Sequence, residues 1–267
     1  MAAVTSDRDR ELSLIQHLGE LRDRLMVAAI AVVLTTIVAF VFSVDIIRIL
    51  LIPVNCSWLH IDPNHFPYLV PDYICQENRT KLIALSPTEN FTTFLRVSLF
   101  SGIALAMPVI LYEIYAYIDP ALFPRERRFL RLTALPVLGL FVLGMAFCYF
   151  VLLPNAIKFL INFGADVIEN QLRASDYISF VTTFILGVGL VFEVPVIIYT
   201  VVRVGVVQRS WLAKQRRYVF LLAFVVGAVI TPTPDPFNQT IVAVPMYLLF
   251  ELGLFLARFV PARQAGA

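Results

Sequence analysis

Long stretches without any Asp, Glu, Lys or Arg constrain this chain more than any other feature. A transmembrane helix needs about 17–25 mostly apolar residues, because it must cross roughly 30 Å of hydrocarbon. Hydrophobic residues make up 59% of the chain and charged residues 15%, against about 45–50% and about 25% in soluble domains. The pattern predicts an all-α membrane protein. The apolar stretches are Leu25–Val44, Val97–Tyr112, Leu132–Ile157, Tyr177–Val202 with Glu193 inside it, Tyr218–Ile230, and Phe237–Leu256 with Glu251 near its end.

The last two apolar stretches are joined by the proline-rich segment Thr231–Pro236, which cannot stay helical for long. We therefore expect a hairpin of short fifth and sixth helices, giving six spans in a single membrane domain, residues 1–267. A helix of roughly 14 residues reaches only about 21 Å, so we expect the bilayer to thin around this hairpin. Pro108, Pro195 and Pro245 lie inside the second, fourth and sixth spans, and bends at these prolines predict a curved bundle.

Basic residues are distributed unevenly between the loops. Lys and Arg close to the membrane mark its cytoplasmic side. Most of the 21 Lys and Arg residues lie in the N-terminal tail, in the loops after the second and fourth spans, and in the C-terminal tail. Both termini are therefore predicted to be cytoplasmic. The net charge of +2 is too small to indicate a nucleic-acid partner, because topology already explains the basic loops.

The charged N-terminal segment, residues 1–24, is predicted to form a cytoplasmic amphipathic helix before the first span. Glu20 and Arg24 lie on one flank of this helix at i,i+4 spacing, where they can pair with each other. Its apolar stripe is formed by leucines at spacings of four, three and four residues. These are Leu14, Leu18, Leu21 and Leu25.

Residues 45–96 form the longest hydrophilic segment, and the count of spans places them outside the cytoplasm. Their many prolines predict a compact cap loop rather than a free linker. Cys56 and Cys75 lie in this cap. In an extracytoplasmic loop two cysteines can form a disulfide, and the alternative is a pair of unrelated thiols.

Two carboxylates stand in short charged segments beside apolar spans: Glu20 before the first span and Glu126 after the second. The predicted topology places both on the cytoplasmic side. A pair of acids on an otherwise basic face indicates a receptor for a cationic ligand, and guanidinium suits carboxylate best because it pairs in a bidentate way. The alternatives are a Glu20–Arg24 pair and neutralisation of Glu126 by its neighbours. Those neighbours are Arg125, Arg127 and Arg128.

Glu193 lies within the fourth span, where an ionisable group is costly and usually faces a partner or a wet cavity. We expect it to line a concave, partly polar face, and the alternative is a protonated acid hydrogen-bonded within the bundle. A second class of function would be a proton-coupled secondary transporter with Glu193 as the carrier. Such transporters cluster polar groups at mid-membrane in several spans, whereas Glu193 is nearly alone here.

Motifs of enzymes and metal sites are missing from the sequence. It has no HExxH, no GxSxG, no glycine-rich phosphate loop and no Cys/His cluster. We therefore expect neither enzymatic activity, nor a metal, nor a cofactor.

Ordered motifs run through most of the chain, from about Leu14 to Phe259. They are His17–Leu25, Ser86–Phe91, Pro108–Tyr112, Pro120–Leu122 with Glu126–Arg128, Phe192–Pro195, Arg216–Tyr218 and Thr231–Gln239. With these motifs the chain resembles TatC, the polytopic receptor subunit of the twin-arginine protein translocase. The segment between Asn55 and Thr80 departs from the family pattern because it is longer.

The resemblance implies a receptor in the bacterial cytoplasmic membrane that binds the Arg-Arg signal peptides of folded precursor proteins. It implies partner subunits with a single span, TatA and TatB, self-association within the complex, and export driven by the proton gradient. The signal-peptide residues it implies are Glu20, Leu21, Arg22, Glu126 and Arg127. The partner-docking residue it implies is Glu193. We expect Asp235 and Gln239, at the trans end of the predicted hairpin, to be further partner contacts.

Overall fold

The computed structural model describes residues 14–55, 82–118, 124–163, 171–231 and 235–260. Almost all of these residues are helical, as the sequence predicts, because helices satisfy their backbone hydrogen bonds internally. The helices are α1 (Leu14–Val41), α2 (Ser43–Asn55), α3 (Pro87–Ile118), α4 (Pro124–Phe147), α5 (Leu153–Asn162), α6 (Ala174–Val191), α7 (Val194–Val204), α8 (Arg209–Lys214), α9 (Arg216–Ile230) and α10 (Pro236–Leu256). A π-helical turn, Cys148–Leu152, joins α4 to α5, and a 3₁₀ turn, Ala257–Phe259, follows α10.

Within the described part of the chain, five helical segments are long and apolar enough to cross a membrane. They are Leu18–Val41, Pro87–Ile114, Pro136–Asn162, Ala174–Arg203 and Pro236–Phe259. The predicted fifth span corresponds to α9, whose 15 residues reach about 22 Å. It is short, as expected, and the count of six spans stays a prediction.

The prediction of a short sixth helix is wrong, because α10 has 21 residues. Pro236 starts α10 in its first turn, where a missing N–H costs no helical hydrogen bond. The Asp235 carboxylate caps this end by accepting the Asn238 N–H at 2.7 Å. Near the other end, Glu251 pairs with Arg216 at 2.7 Å, so the helix continues past its acidic residue.

Two other predicted segments contain helices in the described part of the chain. From Leu14 onward, the predicted N-terminal amphipathic helix and the first span are continuous in helix α1. Inside the predicted cap, residues 45–96, the structure has helix α2 and the beginning of α3 at Pro87. The extent of the cap stays a prediction. The single-domain assignment stays a prediction.

Pro195 interrupts the fourth span, as predicted. Helix α6 ends at Val191 and α7 begins at Val194, with a turn at Phe192 and Glu193 between them. The ring of Pro195 takes the second position of α7 and removes one backbone donor there. Pro108 and Pro245 lie inside α3 and α10, which continue through them. The curvature of the bundle stays a prediction.

Helix α1 packs along α3, and this pair positions the candidate site. The Thr35 hydroxyl donates to the Gly102 carbonyl at 2.8 Å across the interface. At Gly102 a β-carbon would lie 2.7 Å from the backbone of Thr36, so only glycine allows this approach. Much of the remaining surface of α1 is exposed and apolar, as expected for a face against lipid.

A buried acid ties the starts of α3 and α6 together. The Glu89 carboxylate accepts the Leu85 N–H at 2.9 Å, the Ser175 N–H at 3.1 Å and the Arg173 Nε–H at 3.1 Å. An isolated parallel bridge joins Ile83 to Arg173 beside it. These bonds compensate for the burial of Glu89, which is 4% exposed.

Candidate functional site

Three charged side chains meet at the end of the α1–α3 pair, and we call them the charge cluster: Glu20, Arg24 and Glu113. Arg24 donates to Glu20 Oε1 through Nε at 3.0 Å and Nη2 at 2.6 Å. It also donates to Glu113 Oε2 through Nη1 at 3.2 Å. One guanidinium is therefore shared by two carboxylates from two helices.

The charge cluster is partly buried. Its side chains are 23% exposed at Glu20, 27% at Arg24 and 13% at Glu113. Such groups retain access to an incoming ligand, yet their charges are screened less than those of fully exposed residues. The i,i+4 pair of Glu20 with Arg24, one of the alternatives for Glu20, is present.

The other signal-peptide residues predicted from the sequence are not in the charge cluster. Leu21 is exposed on the same turn of α1. Arg22 pairs with its neighbour Asp23 at 2.9 Å, and both side chains are largely exposed. Glu126 and Arg127 belong to α4, but their side chains lie outside the described part of the chain. Whether Glu126 approaches Glu20 stays a prediction.

Sequence reasoning missed Glu113 as a member of the site. It lies near the end of α3, where it reads as one acid at the edge of an apolar span. The predicted topology does place it on the same side as Glu20, and that was the available signal. The pairing itself joins residues 89 positions apart and depends on how α1 packs on α3.

Glu193 lies in the turn between α6 and α7 and is 5% exposed. The expectation that it lines a concave, partly polar face stays a prediction. Helix α4 closes on this turn at Gly144, where a β-carbon would lie 2.7 Å from the Phe192 side chain. Among the residues that the structure describes, Glu193 Oε1 accepts no hydrogen bond. An unsatisfied buried carboxyl of this kind needs a proton or a partner.

Asp235 and Gln239, the other predicted docking residues, both make contacts within the hairpin. Asp235 caps α10 and also accepts from the Asn238 side chain at 3.0 Å. Gln239 Nε2 donates to the Phe224 carbonyl at 2.7 Å, which ties α10 to α9. Gly227 permits this contact, since a β-carbon there would lie 3.0 Å from the Gln239 carbonyl oxygen. These bonds stabilise the hairpin, and the docking role stays a prediction.

Two further predictions concern cysteines and metals. Cys56 and Cys75 lie outside the described residues, so their disulfide stays a prediction. Cys148 is a buried free thiol in the π-helical turn. No group of three or more His, Cys, Asp or Glu side chains able to hold a metal occurs among the residues that the structure describes.

Comparison with known proteins decides the family. Residues 16–245 match the family model of TatC, the Sec-independent protein translocase protein. The chain belongs to the TatC family. It is 32% identical over 256 residues to TatC of Carboxydothermus hydrogenoformans, covering 96% of this chain and 97% of the relative. It is 36% identical over 246 residues to TatC of Escherichia coli, covering 92% and 88% of the two chains.

A solved structure supports the same assignment. The crystal structure of a twin-arginine translocase receptor, TatC, superposes on this chain with a TM-score of 0.76 at 35% identity. The match covers 91% of this chain and 99% of the solved one. The predicted helical membrane fold is therefore confirmed.

Family membership confirms three predictions made from the sequence. A TatC-family chain is a component of a protein translocase, and its function is transport rather than enzymatic catalysis. As a translocase component it acts in a complex with other subunits. Its apolar helices and bacterial TatC relatives make it a multi-pass protein of the inner membrane. The alternative of a secondary transporter receives no support from these matches.

Proposed function

We propose that this chain is the receptor of the twin-arginine translocase, and that it binds Arg-Arg signal peptides of folded precursors through Glu20 and Glu126. The observation that carries the proposal is the charge cluster. It presents a partly exposed carboxylate already paired with a guanidinium, the group that a signal-peptide arginine would bring. Carboxylate and guanidinium pair through two parallel hydrogen bonds, which an ammonium group cannot copy.

The surroundings of Glu20 also support a peptide site. Leu21 offers an exposed apolar surface beside the acid, which suits the hydrophobic part of a signal sequence. Arg22 and Arg127 lie on the same predicted face, and we include them as contacts to the polar groups of the peptide. The cytoplasmic location of this face follows from the distribution of basic residues.

Binding of a labelled Arg-Arg peptide to the purified chain tests the receptor role. Glu20→Ala and Glu126→Ala should each lose a charge-assisted bond, at a cost of about 1.5–3 kcal/mol of binding free energy. Asp45→Ala is the matched control, because Asp45 is an exposed acid in α2 that pairs with Arg48. Normal binding by the Glu20→Ala/Glu126→Ala variant would reject the assignment.

We further propose that Glu193, Asp235 and Gln239 contribute to recruitment of TatA and TatB, single-span partners. The support is the unsatisfied carboxyl of Glu193 at the α6–α7 break, which a partner helix could satisfy if the bundle opens there. Glu193→Gln keeps the hydrogen-bonding groups of the side chain, so it should change partner recruitment only slightly if the acid acts in its protonated form. Glu193→Leu should leave peptide binding intact and reduce co-purification of TatA and TatB. Unchanged co-purification with Glu193→Leu would contradict this role.

A further inference from the structure

The hydrogen bonds of the charge cluster leave part of each acid unused. Two N–H groups of Arg24 share Glu20 Oε1, and a third uses Glu113 Oε2. Within the described part of the chain, the bonds from Arg24 use neither Glu20 Oε2 nor Glu113 Oε1. Each carboxylate therefore keeps one oxygen for another donor.

The net charge of the cluster also favours binding of a further cation. Within the described part of the chain, two carboxylates and one guanidinium leave the cluster with one excess negative charge, on groups that are 13–27% exposed. Close to the end of apolar helices this charge is poorly screened by water and salt. Addition of one cation would make the cluster neutral.

We propose that Glu113 is a further specificity residue of the signal-peptide site, where it retains Arg24 while an incoming arginine pairs with Glu20. This inference rests on the proposed function. In the free chain Arg24 is shared between both acids. In the bound chain Arg24 stays on Glu113, the signal-peptide guanidinium takes Glu20, and each acid has one guanidinium.

Geometry explains why Glu113 is needed. Bidentate pairing with Glu20 requires both of its oxygens, and Arg24 occupies Oε1 with two N–H groups. An incoming guanidinium must therefore displace Arg24 from that oxygen. Without Glu113 the displaced guanidinium would lose its partner in a partly buried setting, which is costly. With Glu113 it keeps a charged acceptor already at 3.2 Å.

A cycle of charge variants in the full-length chain, purified in detergent, tests this exchange. The probes are a labelled synthetic peptide with two consecutive arginines and a matched peptide with two lysines. Glu113→Gln removes the reserve acceptor and should weaken Arg-Arg binding by about tenfold, as expected for loss of one charge-assisted partner. Arg24→Gln removes the competitor and should bind at least as tightly as the unmodified chain.

The variant with both substitutions decides between exchange and a merely structural role of Glu113. It restores one unmatched negative charge and has no guanidinium to displace, so its affinity should return to within about threefold of the unmodified chain. Affinity as weak as that of Glu113→Gln alone would overturn the proposal, as would normal binding by Glu113→Gln. If Glu113→Gln fails to fold, the Arg24→Gln variant tests the proposal instead. A large loss of its affinity for the Arg-Arg peptide would overturn the exchange.

The same measurements separate this inference from the proposed function. If the unmodified chain binds Arg-Arg and Lys-Lys peptides equally weakly, the receptor role itself fails. If it prefers the Arg-Arg peptide but Glu113→Gln does not change that preference, the receptor role stands and the role of Glu113 is rejected.

Discussion

Replacement of Gly102 by alanine tests whether the close approach of α1 and α3 holds the charge cluster together. The added β-carbon would lie 2.7 Å from the Thr36 Cα and N atoms, so the helices must separate by several tenths of an ångström or more. Overpacking of this kind costs about 1–3 kcal/mol. The Thr35 hydroxyl also has the Ala31 carbonyl of its own helix at 2.9 Å, so loss of its bond to Gly102 adds little to this cost.

Gly139→Ala is the matched control, because nothing lies within 4 Å of the β-carbon position of Gly139 in α4. Both substitutions gain the same helix propensity, about 1 kcal/mol. That gain cancels in the comparison, so Gly102→Ala should be less stable than Gly139→Ala by about 1–3 kcal/mol.

The assay is denaturant-induced unfolding of the two variants in mixed micelles, followed by far-ultraviolet circular dichroism. Binding of the Arg-Arg peptide should weaken in Gly102→Ala alone, since separation of α1 from α3 moves Arg24 away from Glu113. Equal stability of the two variants would refute the reasoning. So would a destabilised Gly102→Ala chain with unchanged peptide affinity, because the interface would then not position the site.

Three further predictions concern other parts of the chain. Glu89→Ala should lower the unfolding free energy more than Arg173→Ala, because it removes the acceptor of the Leu85 N–H, the Ser175 N–H and the Arg173 Nε–H together. Arg173→Ala should cost about 1 kcal/mol or less because the Arg173 side chain is 41% exposed. Equal thermal destabilisation of the two would contradict this order. Gln239→Leu should lower the free energy of opening of the α9–α10 hairpin by about 0.6–1.7 kcal/mol, because it removes the bond to the Phe224 carbonyl. The measurement is amide hydrogen exchange in α9, which should become faster. Unchanged exchange would show that this bond does not stabilise the hairpin. Thiol labelling of the unreduced, denatured chain should modify Cys148 alone if Cys56 and Cys75 are joined, and three labelled cysteines would exclude the disulfide.

Most of the helical architecture follows from the sequence alone. Charge-free apolar stretches predict spanning helices, because a helix makes all its backbone hydrogen bonds within its own segment and needs no water in the lipid. Pro195 predicts the break in the fourth span because its effect is local to one turn. The short α9 likewise follows from the distance between its charged start and the proline-rich join. The motifs also carry the family resemblance, which the comparisons confirm.

The length of the sixth helix was predicted less well than its position. The apolar stretch Phe237–Leu256 already has nearly the bounds of α10, yet we expected a short helix there. In the structure Asp235 caps the start of α10, and Glu251 pairs with Arg216, so the whole stretch is helical. Helix α1 is likewise continuous through Arg24, which is paired with Glu20 and Glu113.

The composition of the candidate site was decided by tertiary structure. The sequence supplied Glu20 and Arg24 as an i,i+4 pair, because that distance is set by a single helix. It did not supply Glu113, whose contact with Arg24 joins residues 89 positions apart. Contacts between helices depend on which faces pack and how closely, and at Gly102 this is set by the absence of one β-carbon. Local periodicity carries no information on such contacts, so only the packed bundle brings a third charge to the pair.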